Sequence, residues 1–275
     1  LGLAETGRQG GVVYLTCGTD PMFDVALVAG GTGVVSFALA ADDEDDLTRY
    51  QGRLCDAGVA VRTMSDPDPG VRKAIAFDLP PQGQTIQIVV IERPADAHYY
   101  SPARREVNRQ GGLAPVDLDH ITLRVGPDAT TTIDFLALYV DFRASDIVTF
   151  ADQPGRLAAW MHVSDYHHDV ALFAGAPHET LDHLAWTIPN LDHMKLMLDQ
   201  LARNGLPTEA GPGRHGVGGN IYAYFWTPDG NRYELSGEMP RSVDRMAGPR
   251  LWTSDNPAIF SAWGAPFPES FRTGS

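Results

Sequence analysis

Residues 181–238 read LDHLAWTIPNLDHMKLMLDQLARNGLPTEAGPGRHGVGGNIYAYFWTPDGNRYELSGE and decide the fold of this chain. The stretch begins and ends with alternating patterns that are typical of strands, and a helical segment and a glycine-rich loop lie between them. The alternation places His183 on one face of the first strand and Glu234 on one face of the last. A second Leu-Asp-His tripeptide, which ends at His120, opens another strand-like run 63 residues upstream of His183. Two histidines and one carboxylate on three strands are a donor set for non-haem Fe(II), and they leave coordination positions free for substrate and O2.

This stretch has a counterpart earlier in the chain, so the sequence contains an internal repeat. A shift of 147 residues aligns residues 36–87 with residues 183–234 without a gap. The aligned pairs that bear on function are Ser36 with His183, Phe77 with Tyr224, Gln87 with Glu234 and, at a shift of 145 residues, Phe23 with His168. The earlier copy lacks the ionisable side chains, so we predict that only the later copy carries a functional site.

The repeat predicts an α+β fold, in which tandem βαβββ units form two modules with cupped sheets. Residues 1–110 form the predicted N-terminal module, which has no metal site and lacks its first strand and helix. Residues 114–275 form the predicted C-terminal module, which is catalytic, binds the metal and ends in a tail. The polar residues 92–114 are the predicted linker. The sequence leaves open whether the missing strand and helix are absent from the natural protein or only from this chain.

Composition and charge exclude several classes of protein. The net charge of −14 argues against nucleic-acid binding. The sequence lacks the ~18 consecutive apolar residues that a membrane span requires. The two cysteines, Cys17 and Cys55, are too few for a disulfide framework. We therefore expect a cytoplasmic protein that acts on a small molecule and has neither nucleic-acid nor membrane partners.

Three further motifs carry a family resemblance. They are the segment HDVAL at 168–172, the segment GPGRHG at 211–216 and the segment WGAP at 263–266. With these motifs the chain resembles the type I extradiol (catechol 2,3-) dioxygenases of the vicinal-oxygen-chelate superfamily, and most closely the homoprotocatechuate 2,3-dioxygenase-like members. The resemblance covers nearly the whole chain. It implies an enzyme that inserts both atoms of O2 into a catechol beside the diol to give a muconic semialdehyde, in the degradation of aromatic compounds.

The resemblance also implies roles for individual residues. The implied metal ligands are His120, His183 and Glu234, and the implied metal is Fe(II), with Mn(II) as the alternative. The implied catalytic residues are His168 as the acid–base residue and Tyr224 and His215 as hydrogen-bonding residues of the pocket. The predicted substrate-binding residues are Trp160, His215, Tyr224, Tyr222 and Phe225. By the same resemblance we expect a homo-oligomer with catechol and O2 as its substrates.

One position departs from the family pattern and bears on the substrate. In relatives that act on catechols with a carboxylate, an arginine in the tail meets the acid. The residue that follows WGAPFP in this chain is Glu269. Together with the aromatic residues Trp160, Tyr222 and Phe225, this glutamate predicts a preference for an uncharged alkyl- or aryl-catechol.

Two other hypotheses remain open at the level of the sequence. The first is a non-redox enzyme of the same superfamily, such as a glyoxalase-like isomerase or a thiol transferase, which uses the metal as a Lewis acid. Such enzymes usually take ligands from equivalent positions of both modules, and Ser36 and Gln87 leave the first module poor in ligands. The second is a metal-free module that sequesters a ligand, which makes the spacing of His120, His183 and Glu234 a coincidence.

Overall fold

The computed structural model describes residues 1–17, 23–92, 113–176, 178–244 and 246–275. No helix within those ranges is long and apolar enough to cross a membrane. The predicted linker, residues 92–114, lies outside the described residues except at its two ends. The division of the chain at residues 110 and 114 therefore stays a proposal.

The N-terminal part forms two small sheets. The first is antiparallel and contains, in order, β1 (Ala4–Gln9), β2 (Val12–Thr16) and β3 (Val25–Leu27). The elements that follow are β4 (Ser36–Ala40), α1 (Glu44–Asp56), β5 (Arg62–Ser65), β6 (Val71–Asp78) and β7 (Thr85–Ile91). Their strands form the second sheet in the order β4-β7-β6-β5.

The C-terminal part forms one sheet from two βαβββ units. The first unit is β8 (Asp117–Arg124), α2 (Thr130–Tyr139), β9 (Arg143–Thr149), β10 (Arg156–His162) and β11 (Val170–Phe173). The second unit is β12 (Leu181–Ile188), α3 (Leu191–Arg203), β13 (Thr208–Arg214), β14 (Ile221–Trp226) and β15 (Arg232–Gly237). Residues of the tail add β16 (Arg250–Thr253) and a short 3-10 helix (Glu269–Arg272). The strand order is β13-β14-β15-β12-β8-β11-β10-β9-β16.

The repeat is visible in the strand register. Strands β4 and β7 are parallel, and Ala38 lies opposite Gln87. Strands β12 and β15 are also parallel, and Ala185 lies opposite Glu234 at the same shift of 147 residues. Helices α1 and α3 each have 13 residues and each begins after an N-cap side chain that accepts a backbone hydrogen bond. The α+β fold with tandem βαβββ units is confirmed.

Strand β8 explains why the two halves of the chain differ. It pairs with β11 on one side and with β12 on the other, and so joins both C-terminal units into one sheet. The described residues of the N-terminal part contain no counterpart of β8 or α2, and its two units consequently lie in separate sheets. The metal-ligand candidate His120 lies on β8, so the N-terminal part also lacks the position that this residue occupies.

The two parts share one hydrophobic core. Leu47 and Leu54 of α1 belong to the same buried cluster as Ile133 and Leu136 of α2. Full burial of each such side chain contributes about 1.5–3 kcal/mol. The shared cluster holds the N-terminal part against the back of the C-terminal sheet.

The sequence predicted a loop for the glycine-rich segment 211–219, and this prediction was wrong for the first part of the segment. Residues 211–214 form the end of β13, which pairs with β14. Its glycines provide space, because a Cβ atom on Gly213 would lie 2.6 Å from the Tyr222 ring and one on Gly216 would lie 1.6 Å from the Ala258 carbonyl oxygen. Glycine and proline are ordinarily turn signals, and here close packing of the tail requires the glycines.

Candidate metal centre and active-site cavity

The three predicted ligands come together where β8, β12 and β15 lie side by side. The Nε2 atoms of His120 and His183 are 3.3 Å apart. They lie 3.3 and 3.1 Å, respectively, from the same Oε2 atom of Glu234. All three side chains are buried, and their ligand atoms lie within 4.8 Å of one another. Two imidazole nitrogens and one carboxylate at this separation fit a divalent metal ion.

An aspartate precedes each histidine and orients it. Asp119 Oδ1 lies 2.7 Å from His120 Nδ1, and Asp182 Oδ1 lies 2.7 Å from His183 Nδ1. Because a carboxylate only accepts hydrogen bonds, the hydrogen of each neutral ring is on Nδ1. The Nε2 atom of each ring then has the lone pair that can bind a metal, and Thr122 Oγ1 lies 2.9 Å from that of His183.

The charges of the site are strongly coupled. Burial alone would lower the pKa of His120, but its hydrogen bonds to Asp119 and Glu234 outweigh this effect and raise the pKa to about 9. Burial would raise the pKa of Glu234, but its hydrogen bonds with His120 and His183 hold the pKa well below its ordinary value. Glu234 is therefore a carboxylate, and its negative charge favours any cation at this position.

Two arginines surround Asp182, and the sequence analysis missed both. Arg124 Nη2 lies 2.5 Å from Asp182 Oδ2, and Arg232 Nη1 lies 3.4 Å from Asp182 Oδ1. Burial would raise the pKa of Asp182, but the hydrogen bond with His183 and the charges of the arginines lower it. Asp182 therefore stays ionised. Both arginines follow the alternation of their strands, which was the signal available in the sequence.

Asn220 is another residue that sequence reasoning missed. Its Nδ2 atom lies 3.4 Å from Glu234 Oε1 and 3.1 Å from Ser236 Oγ. His215 Nε2 lies 3.6 Å from the same Glu234 oxygen. The hydrogen bond from Asn220 holds Oε1 of Glu234 and leaves Oε2 directed toward the two histidines.

A cavity of about 380 Å³ opens beside the three ligands. Its wall is mostly aromatic and aliphatic, and the residues that form this part of it are Leu157, Trp160, Phe173, Tyr224, Ile259, Phe260, Phe267 and Phe271. A volume of this size is in the range of small-molecule sites. The tail supplies several of these residues, so it closes the cavity as well as covering the sheet.

His168 lies next to the ligands without joining them. The residue is 3% exposed and lines the cavity, and its ring lies 4.2 Å from the His120 ring, centre to centre. Burial and the charge of His120 hold the pKa of His168 well below its ordinary value. His168 is therefore a neutral imidazole with a nitrogen available for a proton.

Tyr224 and His215 form a hydrogen-bonded pair on the same wall. The Tyr224 hydroxyl lies 3.0 Å from His215 Nε2, and His215 Nδ1 lies 2.8 Å from the Phe260 carbonyl oxygen. The carbonyl accepts from Nδ1, so neutral His215 accepts the Tyr224 hydrogen at Nε2. Burial and the charge of Glu234 raise the pKa of Tyr224 well above its ordinary value, so it remains a hydroxyl.

The predicted substrate-binding residues occupy three different environments. Trp160, His215 and Tyr224 line the cavity. Tyr222 stacks on His215 with ring centres 4.1 Å apart and lies behind it. The placement of Phe225 was wrong, because Phe225 is on the opposite face of β14 from Tyr224 and packs in the core with Met194 and Leu201 of α3.

Comparisons with known proteins agree with this architecture. Residues 117–235 match the family model of the Glyoxalase/Bleomycin resistance protein/Dioxygenase superfamily, from β8 into β15. The chain is 26% identical over 287 residues to the metapyrocatechase of Geobacillus stearothermophilus, a match that covers 98% of this chain and 85% of that protein. The predicted likeness to extradiol dioxygenases is confirmed.

Solved structures give the same result for the fold. The structure of the 2,3-dioxygenase LapB from Pseudomonas sp. KL28 is similar with a TM-score of 0.83 and 25% identity, over 93% of this chain and 90% of that one. Homoprotocatechuate 2,3-dioxygenase from Arthrobacter globiformis is similar with a TM-score of 0.85 and 22% identity, over 99% and 83%. The Mn(II)-bound glyoxalase from Novosphingobium aromaticivorans has a TM-score of 0.81 and 23% identity, over 98% and 85%. The likenesses support the fold, and the donor set of His120, His183 and Glu234 supports a divalent metal.

Proposed function

We propose that this chain, whose C-terminal part has the fold of the glyoxalase and dioxygenase superfamily, is an extradiol ring-cleaving dioxygenase of the metapyrocatechase (catechol 2,3-dioxygenase) type. It inserts both atoms of O2 into a catechol beside the diol and gives a muconic semialdehyde. The observation that carries the proposal is the buried group of His120, His183 and Glu234, beside His168, at the end of an aromatic cavity. The likeness to a metapyrocatechase over 98% of the chain supports it.

The metal would be held by His120 Nε2, His183 Nε2 and Glu234. Two histidines and one carboxylate are the ligands of non-haem Fe(II) oxygenases, so we assign Fe(II), with Mn(II) as the alternative. Such an ion lowers the cost of deprotonating a catechol and brings the catechol and O2 together. Asp119 and Asp182 keep both histidine lone pairs directed at the ion.

The remaining polar residues handle protons and orient the ring. His168 takes the proton of a catechol hydroxyl and returns it during the reaction, because it is neutral and lies beside the ligands. Tyr224 presents a hydroxyl that stays protonated and whose orientation His215 fixes. The aromatic wall excludes water from the reacting atoms.

The cavity favours an uncharged alkyl- or aryl-catechol over a carboxylated one. Two arginines line it, and each already has a carboxylate partner. Arg124 pairs with Asp182, and Arg272 Nη1 lies 3.3 Å from Glu269 Oε1. A carboxylated substrate would have to displace the buried Asp182 from Arg124 and would meet the negative charge of Glu269 beside the exposed Arg272. An alkyl or aryl substituent instead has aromatic side chains to contact.

A non-redox metalloenzyme of the same superfamily is the second candidate. The Mn(II)-bound glyoxalase favours it, since its fold matches this chain about as well as the dioxygenases do. The N-terminal part argues against ligands from two modules, because Gln87 Nε2 donates a 3.1 Å hydrogen bond to Ser36 Oγ at the corresponding position. A homo-oligomer in the cytoplasm stays our prediction from the sequence.

The test is anaerobic loading with Fe(II), followed by addition of 3-methylcatechol and then of air. We expect a yellow ring-cleavage product that forms after air is admitted and at a higher kcat/KM than with protocatechuate or homoprotocatechuate. Turnover without O2 would favour the isomerase or transferase. A protein that takes up no metal would favour the ligand-sequestering module.

A further inference from the structure

A chain of hydrogen bonds connects His168 to a buried carboxylate on β9. His168 Nδ1 lies 3.0 Å from His167 Nδ1, and His167 Nε2 lies 2.7 Å from Asp146 Oδ2. Asp146 is 2% exposed. The sequence predicted a role for His168 but none for His167 or Asp146.

The three partners fix where the hydrogens lie. A carboxylate only accepts, so the hydrogen between Asp146 and His167 belongs to His167 Nε2. The Nδ1 atom of neutral His167 is then an acceptor, and the hydrogen between the two rings belongs to His168 Nδ1. His168 lines the cavity, so its remaining nitrogen, Nε2, presents a lone pair there.

The tail and β9 hold this chain of side chains in place. Asp146 Oδ1 accepts a 2.6 Å hydrogen bond from Trp252 Nε1 and lies 3.3 Å from Arg250 Nε, both on β16. The backbone of His167 is held at both ends, since its N–H donates to the Pro240 carbonyl at 2.8 Å and its carbonyl accepts from Ser145 Oγ at 2.6 Å. Strand β16 lies at the edge of the sheet and, through these two residues, holds the Asp146 carboxylate in place.

We propose that Asp146 and His167 are positioning residues that hold His168 in the tautomer whose Nε2 accepts the catechol proton. This inference rests on the proposed function, in which His168 carries that proton. The O–H bond of one catechol hydroxyl breaks, its electron pair stays on oxygen, and the proton binds the Nε2 lone pair. The resulting imidazolium keeps its Nδ1 hydrogen, and the carboxylate of Asp146 stabilises its charge through His167.

Two substitutions of His167 separate positioning from packing. In His167→Gln the amide can donate a hydrogen bond to Asp146 and accept one from His168. The hydrogen on His168 Nδ1 then stays where it is in the wild type. In His167→Phe the ring shape remains and both hydrogen bonds are lost. We expect His167→Gln to stay near the wild-type kcat and His167→Phe to lose about 10–100-fold, with KM and metal content little changed. If His167 only fills space, His167→Phe should keep a higher kcat than His167→Gln. That result, or equal kcat values for wild type and His167→Phe, would overturn the proposal.

Asp146→Asn should lower kcat in the same way, because the amide no longer supplies the negative charge. Asp165→Asn is the matched control, since this exposed carboxylate lies close in sequence to His167 and pairs with Arg241. It should leave kcat unchanged. A kcat of Asp146→Asn equal to that of the control would also overturn the proposal.

The tautomer of His168 can be determined by a measurement that does not depend on ring cleavage. Nitrogen NMR of the Zn(II)-loaded protein, which is diamagnetic, should show His168 protonated on Nδ1 in wild type and in His167→Gln, and a mixture of tautomers in His167→Phe. If wild type shows this tautomer and cleaves no catechol, the proposed function fails and the positioning stands. If wild type cleaves catechol while His168 is protonated on Nε2, the positioning fails and the proposed function stands.

Discussion

At the scale of single residues, Glu234 is the group on which the metal site depends most. It is 1% exposed and supplies the one carboxylate among the three proposed ligands. Glu234→Ala removes the carboxylate that lies beside the two histidines and, with it, the negative charge that attracts a cation. We expect the variant to remain folded and to contain little or no metal by elemental analysis after dialysis. Full metal occupancy in this variant would remove Glu234 from the ligand set.

His168 is predicted to act in turnover and not in metal binding. The corresponding residue of the N-terminal copy is Phe23, so the fold accommodates an aromatic ring at this position without a histidine. We expect His168→Phe to keep the metal and to bind catechol, and to lose about 10²–10⁴-fold in kcat, which is the usual contribution of general acid–base catalysis. Metal analysis and steady-state kinetics check this. Loss of the metal would make His168 a ligand, and wild-type turnover would exclude it from the mechanism.

At the scale of elements, the contact between the tail and the segment that follows β13 depends on a glycine. A Cβ atom at Gly216 would lie 1.6 Å from the Ala258 carbonyl oxygen, so the tail backbone must move in Gly216→Ala. Overpacking of this kind costs about 1–3 kcal/mol. We expect a lower melting temperature and a raised KM, since Ile259 and Phe260 line the cavity. Gly248→Ala is the control in the same tail, because no atom lies within 4 Å of its Cβ position.

The elements that the sequence predicted are those whose pattern is local or repeated. Helices α1 and α3 and strands β12 and β15 followed from the repeat, because the same spacing of apolar residues occurs twice. Strand β13 was interpreted as a loop because its glycine and proline are turn signals in isolation, and its pairing with β14 is a tertiary effect. The contact of Asp146 with His167 joins β9 directly to the segment between β10 and β11, and no local pattern indicates it.

At the scale of the whole molecule, the repeat gives two halves, and among the described residues the candidate metal site lies in the C-terminal half. In the N-terminal half Ser36 and Gln87 bond to each other where the other half has His183 and Glu234. The described residues of that half also contain no counterpart of β8, which carries His120. The asymmetry therefore involves both the side chains and a structural element.

This asymmetry predicts the metal stoichiometry. We expect one metal ion per chain by elemental analysis after reconstitution. The double variant Ser36→His with Gln87→Glu should also bind one, because two ligands without a third, and without aspartates to orient them, do not complete a site. A second equivalent of tightly bound metal in the variant would show that β8 is dispensable for a site.

We propose that the chain opens a catechol ring with both atoms of O2. The most direct measurement is the ratio of O2 consumed to 3-methylcatechol consumed by the Fe(II)-loaded protein, with the mass of the product determined from the same reaction. We predict a ratio of one to one and a yellow product heavier than the substrate by one O2 molecule. Conversion of the catechol without O2 uptake, or a product that has gained one oxygen atom or none, would contradict the claim.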